Sequence, residues 1–283
     1  MNKLNDSEMK FIADAKDFFE NDSVLIKMTN AIGKPIEIAH EALPKSVAKY
    51  LDKGIDKAIK ASLATALKTL GESSQISFEE SLKQTTNKRW LHGTLSGVSG
   101  GICGFFGGPG ILIDLPLTTT LMMRNISSIA NSYGFGISDP TMPLECLYVF
   151  TLGSKSEHDD EIDSAYYTSR LALENIIKAS AEFIAVNSAK VVLENIEKGS
   201  APALINFIAR IASYFEIVVT EKLVAEAIPV VGAIGGASIN IAFCDYFGQA
   251  AKYHFGMLKL ESIYGKEFIS EIYNEFQQTK KTA

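Results

Sequence analysis

Thr94 to Ile113 is a run of 20 residues without a charge, TLSGVSGGICGFFGGPGILI, and no other stretch restricts the fold as much. Its length is about what a helix needs to cross a bilayer core. On a helix at about 100° per residue, Gly93, Gly97, Gly100, Gly101, Gly104, Gly107 and Gly108 fall within an arc of about 120°. Leu91, Leu95, Val98, Ile102, Phe105 and Phe106 fall opposite. Each glycine costs an isolated helix about 1 kcal/mol against alanine, so a compensating contact is required. Close approach of another helix along the flat face provides it, and membranes favour such contacts. Gly97, Gly101 and Gly104 are therefore expected in van der Waals contact with a neighbouring helix. Pro109-Gly110 is expected to end this helix in a sharp turn.

A second charge-free run, AIPVVGAIGGASINIAFC, spans Ala227 to Cys244. Pro229, Gly232, Ala233, Gly236 and Asn240 share one narrow arc, with Val230, Ile234 and Ile241 opposite. Two small-faced helices thus lie far apart in sequence. Either they pack together as the buried centre of a soluble bundle, or both enter one membrane leaflet by shallow or re-entrant insertion, or they span the bilayer.

Elsewhere the apolar residues recur at three- and four-residue spacing. This predicts helices over Asp6–Glu20, Pro44–Leu70, Tyr166–Glu197, Pro202–Leu223 and Phe255–Gln277, with a Ser77/Glu80 capping box opening another. Only Leu147 to Leu152 is ambiguous between strand and helix. The expected architecture is all-α: one multi-helix bundle over residues 1–276 with the two Gly-rich segments at its centre, and a frayed tail at 277–283.

The balance of 27 Lys and Arg against 33 Asp and Glu gives a net charge of −6, without the basic stripe of a nucleic-acid binder. Cys103, Cys146 and Cys244 are too dispersed for a metal knuckle or a disulfide framework and read as buried thiols. The charged N-terminus lacks a secretory core, which predicts a cytosolic chain or one bound to the cytosolic face of a membrane. Glu157, His158, Asp159, Asp160, Glu161 and Asp163 crowd one loop without calcium-loop spacing, so no metal is expected there. Serine-hydrolase, zinc-protease and P-loop templates all fail, no cofactor is indicated, and catalysis is disfavoured.

A few polar residues stand out against the apolar runs. Asp114-Leu115-Pro116 has the form of an N-cap, an acceptor followed by Pro in the first turn. If the helix instead begins at Pro109, Asp114, Thr118 and Asn125 form a polar stripe. Arg124 stands alone in an apolar stretch and is expected to be partly buried against Asp114 or Asp245, or to reach a headgroup phosphate. Lys88, Arg89 and Trp90 have the composition of an interfacial anchor, and Phe105 and Phe106 tip the bulky face. Asn240 reads as a helix–helix hydrogen bond. Were the chain an enzyme, Asp114, His92 and Arg124 would be its candidate residues.

The stretch from Gly93 to Gly136, with Gly-x-Pro-Gly, an acidic residue beside Pro, then Leu-x-x-Arg-x-Ile-x-x-Ile-Ala-x-x-Tyr-Gly, resembles the hallmark of the EcsC family. Ala227 to Ala233 with Asn240, then LKLESIYG from Leu258 to Gly265, is similar to the family's second block, and Tyr166, Tyr167 and Arg170 fit between. Gly97, Gly101, Gly104, Pro109, Gly110, Asp114, Pro116, Arg124, Pro229, Gly232, Gly236 and Asn240 are its signature positions here. The resemblance implies a bacterial protein and, because the founding member is encoded beside subunits of an ABC-type exporter, an accessory role at a membrane in transport or secretion. It carries over no catalytic residue. The expected function is a non-catalytic, membrane-associated helical protein with a lipid or membrane-protein partner; the alternative is a hydrolase or lipid-binding protein using a pocket between the Gly-rich helices.

Overall fold

The computed structural model describes residues 3–21, 23–32, 45–85, 107–153, 165–227 and 232–276, and among these every regular element is helical. Helix α1 (Asp6–Asn21) opens on a reciprocal cap: the Glu8 N–H donates to Asn5 Oδ1 and the Asn5 N–H to Glu8 Oε2, both at 2.9 Å. Helix α2 (Val24–Ile32) follows, then α3 (Lys45–Thr69), close to the bounds its periodicity predicts. Residues 78–85 are helical (α4), and the Glu80 N–H donates to Ser77 Oγ as the capping box requires.

Helix α5 (Gly107–Ser132) corrects two expectations. It runs straight through Pro109-Gly110, where a break is predicted. Asp114 therefore lies inside it and is not an N-cap. Pro116, also interior, lacks the N–H that would bond one turn back. The hydroxyls of Thr119 and Thr120 bond to the carbonyls of Leu115 and Pro116 at 2.9 and 2.7 Å, so side chains and backbone share acceptors through this turn.

Leu147–Leu152 resolves as helix: α6 (Met142–Tyr148) passes into a 3-10 turn at Val149–Thr151. The helix expected over Tyr166–Glu197 is two, α7 (Ala165–Ala185) and α8 (Ala189–Glu197), because Ser188 caps a new start by accepting from the Val191 N–H. Helix α9 (Pro202–Ala227) extends slightly past its predicted end. Helix α10 (Gly232–Tyr264) is 33 residues long, about 50 Å at 1.5 Å per residue. The helix expected over Phe255–Gln277 is in fact the last turns of α10 followed by a separate helix. Gly265, at φ 94°, ends α10 in a conformation that disfavours a side chain, and α11 (Lys266–Glu275) begins.

α10 is the axis of the bundle, packing on α1, α2, α5, α9 and α11. It is buried nearly all round, which is why it shows no amphipathic stripe. Ile239, Phe243, Tyr246, Phe247, Ala250, Ala251, Phe255, Met257 and Leu260 are its core residues. The described centre is thus aromatic: Phe150, Phe215, Phe243 and Phe247 form one cluster with ring centroids 4.8–6.2 Å apart. Gly232 and Gly236 lie in the first turns of α10. Gly93, Gly97, Gly101, Gly104, Phe105, Phe106 and Pro229 lie outside the described residues. Cys146 and Cys244 are buried free thiols, as expected.

Candidate functional site

Among the described residues, two groups of buried charge lie apart along α10, besides the Lys16–Glu20 pair of α1. The first gathers around His254, whose side chain is fully buried. Its Nε2 lies 3.0 Å from Glu145 Oε2 on α6, and its Nδ1 lies 3.1 Å from the Tyr166 hydroxyl on α7. One assignment satisfies both bonds: Nε2–H donates to the carboxylate, and Tyr166 O–H donates to Nδ1. Burial pushes the imidazole below its ordinary value, outweighing the opposing pull of Glu145. Burial alone would raise the Glu145 carboxyl, but the hydrogen bond and charge of His254, with Arg170 and Lys266 nearby, bring it below the usual range. Tyr166 is held protonated by burial.

A turn further along, Arg170 on α7 forms a two-pronged pair with Glu261 on α10, at 2.6 and 3.0 Å. Both side chains are nearly buried, and the guanidinium lies over the rings of Tyr166 and Tyr167 at 5.4 and 5.6 Å. The Tyr167 hydroxyl donates to the same carboxylate at 2.8 Å. Outside this layer, Glu174 accepts from Lys178 at 2.7 Å and from Lys266 at 2.9 Å, which lowers its carboxyl to about 2. A cleft of about 170 Å³ opens between these elements, lined by Thr141, Glu145, Arg170, Glu174, Lys178 and Lys266.

The second region surrounds Asp114. Its Oδ2 lies 3.9 Å from Nζ of Lys222 on α9, and that ammonium stands over the Phe243 ring at 5.5 Å. Lys222 is 2% exposed. One position away, Glu221 buries an oxygen without a hydrogen-bond partner, and burial pushes its carboxyl up to about 7. Asn240, buried on α10, leaves its Oδ1 equally unpartnered. On the three helices that contribute these residues, Ile113, Leu117, Ile217 and Ile241 are exposed, Ile113 at 71%.

The predicted site residues are therefore partly separated. Asp114 is paired, but with Lys222. Arg124 is exposed and forms no ion pair among the described residues, which corrects the expectation of a buried pair with Asp114 or Asp245. The Asp245 carboxylate accepts from Gln249 at 2.6 Å. Asn240 makes no helix–helix hydrogen bond through its Oδ1. His92, Lys88, Arg89, Trp90 and the acidic loop lie outside the described residues. Periodicity alone missed the His254, Glu145 and Arg170 network. Its signal was present in opposite charges on buried helices: Arg170 and Glu261 sit in two segments that carry the family resemblance.

Chemically, the His254 chain satisfies both imidazole nitrogens and holds no activated nucleophile. No three His, Cys, Asp or Glu among the described residues are arranged to hold a metal. Among the described residues one helix, over Pro202–Leu223, is long and apolar enough to cross a bilayer, with 39% of its most apolar window buried. The family model of the EcsC protein family matches residues 8–258. No curated protein and no solved structure matches the chain.

Proposed function

This chain belongs to the EcsC protein family, and from that premise we propose that it is a non-catalytic accessory protein that docks on the cytosolic face of a membrane and serves a transport or secretion process. One observation carries the reading: the Asp114–Lys222 pair joins α5 to α9 beside Phe243 of α10, both charge-free segments run into these helices, and Ile113, Leu117, Ile217 and Ile241 on the same helices are exposed. Exposed apolar side chains brought to one patch mark a contact surface. Removing apolar area from water contributes roughly 25 cal/mol per Å², so a few such side chains at an interface supply several kcal/mol. Lys88, Arg89 and Trp90 would orient the approach at the headgroups, and the net charge of −6 favours local over general attraction to anionic lipid. The partner is lipid, or a membrane protein presented beside it.

A hydrolase built on Asp114 and Arg124 gains no support, because Arg124 is exposed and Asp114 faces Lys222. Co-sedimentation with phospholipid vesicles tests the docking reading. Wild type should pellet with vesicles at moderate salt, and Ile113→Ser combined with Leu117→Ser should reduce the bound fraction severalfold. A wild-type chain that stays in the supernatant at every lipid concentration overturns it.

A further inference from the structure

The cleft beside the His254 network lies apart from the Asp114–Lys222 pair: from Phe243 to Glu261 along α10 is about 27 Å at 1.5 Å per residue. We propose that this cleft binds a small soluble zwitterion, an amine that also carries a carboxylate or phosphate, with its anionic end at Lys178 and Lys266 and its ammonium at Glu145.

The argument rests on which valences the cleft leaves open. Glu261 takes both terminal nitrogens of Arg170, so that cation is compensated from behind the wall. Glu174 takes one hydrogen bond from each of Lys178 and Lys266. An ammonium has three donors, so each lysine keeps two, and two cations stand against one carboxylate. On the α6 side, Glu145 uses Oε2 for His254, and among the described residues no donor meets its Oε1. Positive surplus and an open acceptor thus face one space. Lining charges and Glu261 together are balanced, which disfavours a bare anion and suits a ligand carrying both signs. Rigid placement supports this: Arg170 is stacked on two tyrosines, and His254 and Tyr166 fix Glu145 through a buried chain. As to size, a cavity of about 150 Å³ accommodates benzene, so a cleft of about 170 Å³ admits a ligand of roughly six to nine non-hydrogen atoms. Four-carbon amino acids and phosphorylated small amino alcohols fall in that range.

Titration calorimetry on the full chain at pH 7 with 4-aminobutanoate and O-phosphoethanolamine tests the proposal, with butanoate and butylamine as single-charge controls. Saturable binding of at least one zwitterion, at least tenfold tighter than either control, is expected. Lys178→Met, at an exposed side chain that leaves folding intact, should weaken that zwitterion about tenfold. Glu145→Gln should weaken it similarly without affecting butanoate. No saturable heat from either zwitterion, or unchanged affinity in Lys178→Met, overturns the proposal. Vesicle binding separates this site from docking: Lys178→Met should co-sediment like wild type, and a loss of vesicle binding in that variant would refute a soluble ligand.

Discussion

Arg170–Glu261 and Lys222–Asp114 are both buried ion pairs that tie a neighbouring helix to the axis or its flank, yet they are built differently. The first is two-pronged at 2.6 and 3.0 Å, stacked on tyrosines and joined by a third donor. The second closes at 3.9 Å, and Glu221, next to Lys222 in sequence, and Asn240 on α10 each bury one oxygen without a donor. Leaving a buried polar atom unpaired costs about 1–3 kcal/mol. A fold tolerates that cost where something else is gained. The difference is one of bonding: the Arg170–Glu261 pair is fully met by its neighbours, and the Lys222–Asp114 pair is held by a longer contact.

The largest expected effect falls on the satisfied end. Arg170→Met should strand Glu261 and cost about 3–5 kcal/mol, read as a drop in denaturant midpoint. Arg170→Met with Glu261→Leu should recover a good part of it; simple additivity of the two changes would erase the distinction drawn above.

Acid should reveal the same region next. The folded His254 imidazole binds its proton less readily than an unfolded one, so stability falls as pH drops below about 6.5. Glu145, whose folded carboxyl lies below 4.5, adds stability above that value that is lost on further acidification. Tm measured from pH 8 to 4 should decline in that order, and His254→Asn should flatten the first part of the decline.

At the other pole the sign reverses. With its folded carboxyl near 7, Glu221 destabilises the folded chain progressively above about pH 4.5, to full extent above 7. Glu221→Gln should therefore raise Tm at pH 8 and leave it unchanged at pH 4. A variant less stable at pH 8 would mean that the carboxylate is usefully paired. The smallest stability effect belongs to Ile113→Ser with Leu117→Ser, about 0.5 kcal/mol or less for such exposed positions, although the same variant should lose vesicle binding.

How far the sequence foretold all this depended on the range of the interaction. Local rules located α1, α3 and α9, and the Ser77 cap, because propensity and capping act within one turn. They failed at Asp114, where Asp-Leu-Pro satisfies the grammar of a helix start equally well inside a helix whose threonine hydroxyls bond to the carbonyls around Pro116. They failed again at α10, whose burial on every side erases the stripe that periodicity detects. The site was the least legible part: His254 meets Glu145 across 109 residues and Arg170 meets Glu261 across 91. A helical wheel shows that such residues are out of place on an apolar helix, but not which distant helix will answer them.

The meeting of first and last helices has a consequence for biosynthesis. Tyr264 donates to Glu8, Lys16 donates to the carbonyl of Asn274, and Phe11 packs so closely on α10 that a β-carbon at Gly256 would overlap its ring. Tyr264 and Asn274 are thus made 256 and 258 residues after their partners on α1. At about 5–20 residues per second, those contacts wait on the order of tens of seconds, and Phe78, which meets Phe11 ring to ring at 5.1 Å, is the earlier-made neighbour. Phe18 gains Tyr246 and Tyr253 only with α10, so the apolar face of α1 is completed late in synthesis of the bundle.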